Sequence, residues 1–205
     1  MKKIKECIIL GKQYFYFILI LCIISILNIT GCGGDVSRVD KLEQQSLFVE
    51  ENANEIMNQV LEILNSHDAE QLSGIFSDGV RNNVSNLSDM SMQAIEFYEG
   101  IGKIVKSEYM GTYISNNRGK KVIYGTSRYT VETENHTYLV WIVIQNKNDY
   151  DESMEGLYLL QIITEETRVD GFTWEDKNSD PGIYIQNDRA DEYEEPADML
   201  EKEKK

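Results

Sequence analysis

Cysteine is scarce in this chain and all of it is early: Cys7, Cys22 and Cys32 are the three thiols, and none follows. The body of the chain therefore has no disulfide, no cysteine nucleophile and no thiolate metal site, and an exported domain of this kind must rely on an ordinary apolar core. Histidine is as rare. His67 and His136 are the two present, and their separation matches no metal-ligand spacing. No serine sits in the Gly-x-Ser-x-Gly elbow of a nucleophilic hydrolase. Gly100-Ile101-Gly102 lacks the third glycine and the preceding strand of a dinucleotide site. Positive charge is short too: 20 Lys and Arg against 35 Asp and Glu give a formal charge of −15. Such a balance disfavours nucleic acid as a partner. No catalytic residue, metal site or cofactor is expected, and the sequence points away from an enzyme.

What is present begins with an address. Lys2, Lys3, Lys5 and Lys12 make a basic end, and Tyr14 to Ile29 is an uncharged apolar run of about 16 residues. That is short of the roughly 20 residues that cross a hydrocarbon core, and it has the layout of a secretory signal. Ile29-Thr30-Gly31-Cys32 closes the run. This tetrapeptide resembles a bacterial lipobox. The resemblance implies that Ile29, Thr30 and Gly31 form the signal-peptidase recognition sequence, that the chain is cut before Cys32, and that the Cys32 sulfur carries acyl chains. The alternative is an uncleaved N-terminal anchor in which Cys32 is incidental.

Removing residues 1–31 takes out four of the 20 basic and one of the 35 acidic side chains, leaving 16 against 34 and a charge of −18. A surface this acidic does not adhere to anionic lipid, so attachment falls to acyl chains, of which stable anchoring needs two or more. The expected location is the outer, extracytoplasmic face of the cell membrane. The expected partners are the membrane, through Cys32, and the lipoprotein-processing enzymes.

The remainder divides into a tether at 32–40, an α+β domain at 41–178 and an acidic tail at 179–205. Leu42, Val49, Ala53, Ile56, Met57, Val60, Leu61 and Leu64 recur at helical steps, predicting a helix from about Gln45 to Asn65. Asp68 and Gln71 have capping-box spacing for a second helix that buries Leu72, Ile75 and Phe76 and stops at Ser77-Asp78-Gly79. Val80–Asp89 is expected to be loop. Ser91–Tyr98 makes a third short helix packing through Met92, Ile95, Phe97 and Tyr98. Strands follow at 103–115, 121–134, 137–145 and 156–165, with weaker candidates at 172–175 and 183–185. A phase switch near Gly125 suggests a bulge. Asn116-Asn117-Arg118-Gly119 is a turn signal. Helices first and strands after are the α+β pattern, with helices on one face of an antiparallel sheet. The tail from Asp188 holds eight acidic and four basic residues and is expected to be disordered or at most transiently helical.

Several blocks resemble an uncharacterised lipoprotein family of Gram-positive bacteria. They are Asn65-Ser66-His67-Asp68 with Leu72 and Ile75-Phe76-Ser77; Ile95-Glu96-Phe97-Tyr98-Glu99-Gly100; Tyr129-Thr130-Val131-Glu132-Thr133; and Gly156-Leu157-Tyr158. The resemblance spans roughly Ala53 to Arg168. It implies a cone-shaped α+β fold similar to nuclear transport factor two, with a long helix cradled by a curved sheet. It implies no activity and no active-site residue.

Three candidate groups are weighed against plainer roles. His67 is read as a helix cap or exposed loop residue, and His136 as an exposed hairpin residue. Asp149, Asp151, Glu152 and Glu155 could hold calcium but lack the register of an EF-hand loop, so a solvated acidic hairpin is the simpler reading. Tyr109, Tyr113, Tyr124, Tyr129, Tyr138, Trp141 and Tyr158 could line a pocket, although aromatic residues suit sheets in any case. The expected function is that of a lipid-anchored binding or interaction module. One alternative is a small-ligand receptor or enzyme using the cone pocket. Another is an immunity or inhibitor lipoprotein acting on a protein partner.

Overall fold

In the computed structural model of the chain, residues 33–168 and 172–185 are described, with side chains from Val39 onward. The signal segment 1–31, Cys32 and the tail beyond Ile185 lie outside the described residues. The chain divides after Gln45 into two compact units, and the packing below is that of the second.

Helix α1 runs Gly33–Ser66. Its backbone is thus helical well before Gln45 and through the segment read as a tether. Leu42, counted in the helical series, is 49% exposed, and Val39 is exposed as well, so the buried stripe does not reach these turns. From Val49 the stripe is genuine: Val49, Ala53, Met57, Val60 and Leu64 are all buried at steps of four, four, three and four. The helix stops at His67, which takes the left-handed conformation (φ 55°) normally left to glycine. The His67 N–H donates to Leu64 O and the Asp68 N–H to Ile63 O, the paired bonds of a Schellman stop.

Helix α2 (Ala69–Gly74) starts on Asp68, whose side chain accepts from the Gln71 N–H. The reciprocal half of the expected capping box is absent, because the Asp68 N–H is already used by α1. The Gln71 side-chain amide instead donates to the Asp68 carboxylate at 2.7 Å. Ser77-Asp78-Gly79 does not lead into loop: Ser77 caps a further helix, α3 (Asp78–Asn83). Helix α4 spans Leu87–Phe97 and buries Leu87, Ser91 and Ala94. Met92, expected to pack, is 46% exposed, since the earlier start places 87, 91 and 94 on the buried face.

Five strands follow: β1 (Lys103–Asn117), β2 (Lys120–Glu132), β3 (Thr137–Asn148), β4 (Gly156–Thr164) and β5 (Gly182–Ile185). They lie in sequence order. The first three pairings are antiparallel, but β5 joins β4 in parallel. The sheet is therefore mixed rather than antiparallel. The backbone at 172–175 is not a strand. A strand that follows its parallel neighbour in sequence is reached by a crossover connection. The β1–β2 turn is a two-residue loop with positive φ at Arg118 (53°) and Gly119 (83°), the type I′ geometry that suits strand twist.

No bulge occurs at Gly125. Ile123, Gly125, Ser127, Tyr129 and Val131 alternate without interruption on the buried side of β2. Glycine is needed there for closeness of approach: a Cβ would overlap Val49 Cγ1 of α1. The register shifts fall elsewhere, leaving Val105 and Met110 of β1, Asn146 of β3 and Tyr158 of β4 as extra residues.

Strand β3 is buried continuously from Tyr138 to Gln145, which requires cover on both faces. Helix α1 covers one, where the Tyr129 hydroxyl donates to Asn54 Oδ1 at 2.9 Å. The other carries the stretch 172–181. Trp174 stacks on Trp141 with centroids 5.4 Å apart and planes 15° from parallel. The Glu175 N–H donates to Gln161 Oε1 at 3.0 Å, and the Tyr158 hydroxyl donates to Ser179 O at 3.0 Å.

Candidate functional site

The first feature with the character of a site is a junction between the end of α1, the end of α4 and the β2–β3 turn. Asn65, in the last turn of α1, faces the backbone at Gly102. Its Nδ2 donates to Gly102 O at 3.0 Å, and its Oδ1 accepts from the Gly102 N–H at 2.7 Å. The Tyr98 hydroxyl donates to the same Oδ1 at 3.1 Å. A Cβ on Gly102 would overlap the Tyr98 hydroxyl, so only glycine lets the two segments come this close. Gly102 belongs to the glycine pair that carried no weight as a nucleotide motif; its role is to admit the Asn65 clamp.

Tyr98 leads to Tyr138 of β3, the rings 4.9 Å apart and tilted by 34°. The Tyr138 hydroxyl donates to Phe97 O at 3.2 Å and accepts from the Glu99 N–H at 2.9 Å. It thereby closes backbone groups at the end of α4. Burial, with the neighbouring Tyr138, pushes the Tyr98 hydroxyl up to about 12. Tyr138 is raised chiefly by burial, with smaller contributions from the charges of Glu99 and Glu166.

The two histidines flank this tyrosine pair. His67 is 6.5 Å from Tyr98, and His136 meets Tyr138 edge-on at 5.7 Å. The chain's two imidazoles, 69 positions apart in sequence, thus end one row of four rings. His67 is exposed as a helix stop, as expected. His136 is more enclosed than a hairpin tip: its side chain is 37% exposed, and its Nε2 lies 3.5 Å from Glu99 Oε2. The turn carrying it is knotted by Thr133, whose Oγ1 accepts from the N–H groups of Asn135 and His136.

Beside His136 opens a cleft of about 590 Å³, walled by Glu96, Phe97, Glu99, Tyr138, Thr164 and Glu166. Three carboxyl groups, an imidazole and two aromatic rings suit it to a polar ligand with hydrogen-bond donors. A smaller cleft of about 220 Å³ lies between Asn52 and Glu55 of α1 and Gln145 and Asn146 at the β3 bulge. Among the described residues, no group of three or more His, Cys, Asp or Glu is placed to hold a metal ion.

The acidic loop is occupied with its own structure. The Asp149 carboxylate accepts from the Lys121 N–H at 2.7 Å and lies 2.9 Å from Lys147 Nζ. Lys147, then that backbone N–H, hold its carboxyl below the ordinary range. Asp151 caps the turn at Glu152–Met154, and Glu155 accepts from the Asn148 N–H. Of the aromatic set, Tyr129, Tyr138, Trp141 and Tyr158 are buried in the core, whereas Tyr113 is exposed. They fill the sheet rather than line one cavity. Cys32, Ile29, Thr30 and Gly31 lie outside the described residues. Among the described residues, no helix is long and apolar enough to cross a membrane.

The junction was missed from sequence because its partners are polar or glycine and lie 37 residues apart. Asn65 and Tyr98 fall in the blocks carrying the family resemblance, but Gly102 lies outside them. A search of the curated proteins found no match. A family model described as "Domain of unknown function (DUF5104)" matches residues 59–165, a span of 107 of the 205 residues that takes in Asn65, Tyr98, Gly102 and Tyr138. The chain belongs to that family of unknown function.

Proposed function

We propose that this protein is a lipid-anchored, extracytoplasmic binding module of a Gram-positive bacterium, attached through acyl chains on Cys32. The observation that carries the proposal is the order of basic end, uncharged run Tyr14–Ile29 and Gly31-Cys32, the layout of an export signal ending at an acylated cysteine. Ile29, Thr30 and Gly31 serve peptidase recognition. The long α1 beside the sheet is in keeping with a cone of the nuclear transport factor two type, and we read the domain as one. Labelling with radioactive palmitate tests the anchor. Label enters the full chain and is lost in Cys32→Ala; equal labelling of that variant refutes it.

A second reading is favoured by the cleft beside His136: the domain is a receptor for a small polar ligand held by Glu96, Glu99 and Glu166. Its wall carries three carboxyl groups and no Lys or Arg, which attracts donors and cations. Spermidine, as a probe, raises the melting temperature of the full chain, and Glu99→Gln with Glu166→Gln abolishes the rise. A rise unchanged in that double variant overturns the reading.

A further inference from the structure

Strand β1 is an outer strand of the sheet, paired on one side with β2. Its other side presents backbone N–H and C=O groups to which no described strand pairs. Such edges are usually blunted by bulges and charges, and β1 has both. The bulges at Val105 and Met110 bracket a short regular stretch, Lys106–Tyr109. The bulged residues themselves present apolar side chains, Val105 45% and Met110 51% exposed.

We propose that this stretch pairs with the same stretch of a second copy, antiparallel about a two-fold axis through Ser107, so that two five-stranded sheets become one. The argument is register. With Ser107 opposite itself, Lys106 of each copy lies across from Glu108 of the other, Val105 across from Tyr109, and Ile104 across from Met110. Moving the axis one residue either way sets Lys106 against Lys106 or Glu108 against Glu108. Opposite charges across a strand pair favour a register and like charges disfavour it. The pairing about Ser107 therefore stands apart from both of its neighbours.

The side chains are on the correct side for this. Lys106 pairs with Thr130 and Glu108 with Arg128 in the β1–β2 ladder, so both charges occupy one face of the sheet. Within one copy Lys106 Nζ already lies 3.0 Å from Glu108 Oε1, across Ser107. The local charge differs from that of the whole chain. Lys103, Lys106 and Arg128 outnumber Glu108 and Glu132 along this edge, in a chain whose net charge is −15. The bulges confine the pairing to a few residues, and a two-fold contact uses the same patch on both copies. It closes at a dimer and cannot propagate into a fibre.

Ser107→Cys in the full chain tests the axis. Residues opposite each other on antiparallel strands have Cα atoms about 4.5–5.5 Å apart, within disulfide range. Mild oxidation in the membranes of expressing cells links Ser107→Cys into a dimer. The control Tyr150→Cys, on the β3–β4 loop beside Asn117 at the far end of β1 from Ser107, links far less. Cys7, Cys22 and Cys32 are common to both and cancel. Adding Lys106→Glu places like charges opposite each other twice and lowers linking by roughly tenfold; adding Glu108→Lys to that restores it. Equal linking at positions 107 and 150, or linking indifferent to Lys106→Glu, overturns the proposal. Because Glu108→Lys also removes the Arg128 partner, sedimentation of the unmodified chain in detergent supplies a second measure. A concentration-dependent dimer supports the proposal, and monomer at every concentration refutes it.

Discussion

The carboxamide of Asn65 satisfies both backbone groups of Gly102, donating to its carbonyl at 3.0 Å and accepting from its N–H at 2.7 Å. One side chain thereby fastens the end of the longest helix to the start of the sheet. The same Oδ1 accepts from the Tyr98 hydroxyl, so three segments meet at one amide. Asn65→Ala leaves a buried N–H, a carbonyl and a hydroxyl without partners. Unmet buried polar groups cost about 1–3 kcal/mol each, and partial access of water lowers the sum. We expect a loss of about 2–4 kcal/mol in urea unfolding. Asn65→Asp keeps the acceptor and loses the donor, so it falls between. A loss under 1 kcal/mol for the alanine variant, by the same rule, would show that the clamp is incidental to stability.

Gly125 lets Val49 of α1 approach the sheet closely. Gly125→Ala sets its new methyl against Val49 Cγ1. Overpacking of this kind typically costs about 1–3 kcal/mol. Val49→Ala alone opens a cavity and also destabilises, but combined with Gly125→Ala it removes the clash. The two changes should therefore be strongly non-additive, the double variant more stable than the sum of the singles predicts. Additive losses would mean that the glycine is there for some reason other than room.

This pair illustrates what a linear pattern can and cannot disclose. The buried turns of α1 were legible because Val49, Ala53, Met57, Val60 and Leu64 repeat at helical steps, and repetition is the imprint of burial on one side. Its first turns carry no buried stripe, and exposed residues need not repeat. In β2, Val122 and Tyr124 are half-buried on one face while Tyr129 and Val131 are buried on the other. Apolar residues on both faces of one regular strand thus looked like a change of phase. The parallel β5 was beyond reach, since the direction of a four-residue strand depends on the crossover that delivers it. The site fared worse. Asn65, Gly102 and Tyr98 act through hydrogen bonds across distant segments, and neither hydropathy nor short-range spacing encodes such a bond. The two histidines were each placed in a plausible local setting, yet nothing local could show that one tyrosine pair lies between them.

Glu108 supplies a test in acid. Its carboxylate accepts from Arg128 Nε at 2.9 Å and lies 3.0 Å from Lys106 Nζ. The Arg128 hydrogen bond, then that of Lys106, hold its carboxyl below the ordinary range. A group with a lowered folded pKa contributes stability that is complete above its unfolded value, about 4.3, and is lost as pH falls through the folded one. In that interval the unfolded chain binds the extra proton, so stability rises with pH. Unfolding midpoints of the parent and of Glu108→Gln should therefore differ above about pH 5 and converge on acidification. A constant difference down to the acid limit would assign the effect to packing rather than to charge.

Alkali probes the core through its hydroxyls. Of the 12 tyrosines, Tyr98, Tyr129 and Tyr158 are pushed up to about 12, in each case chiefly by burial. A free tyrosine ionises near about 10. Because the folded values are raised, their contribution is intact below about 10 and is lost as pH rises through about 12. Between those limits the unfolded chain has released protons that the folded chain retains, so stability falls with pH. Tyrosinate absorbance should accordingly rise in stages. The last stage, from the buried rings of Tyr98, Tyr129 and Tyr158, coincides with unfolding. Tyr129→Phe removes one of the resistant protons along with the bond to Asn54. It should be less stable at neutral pH, yet lose stability less steeply in alkali. A single titration centred near 10, with the fold intact throughout, would mean that these hydroxyls are open to water and that the layer between α1 and the sheet is looser than its packing indicates.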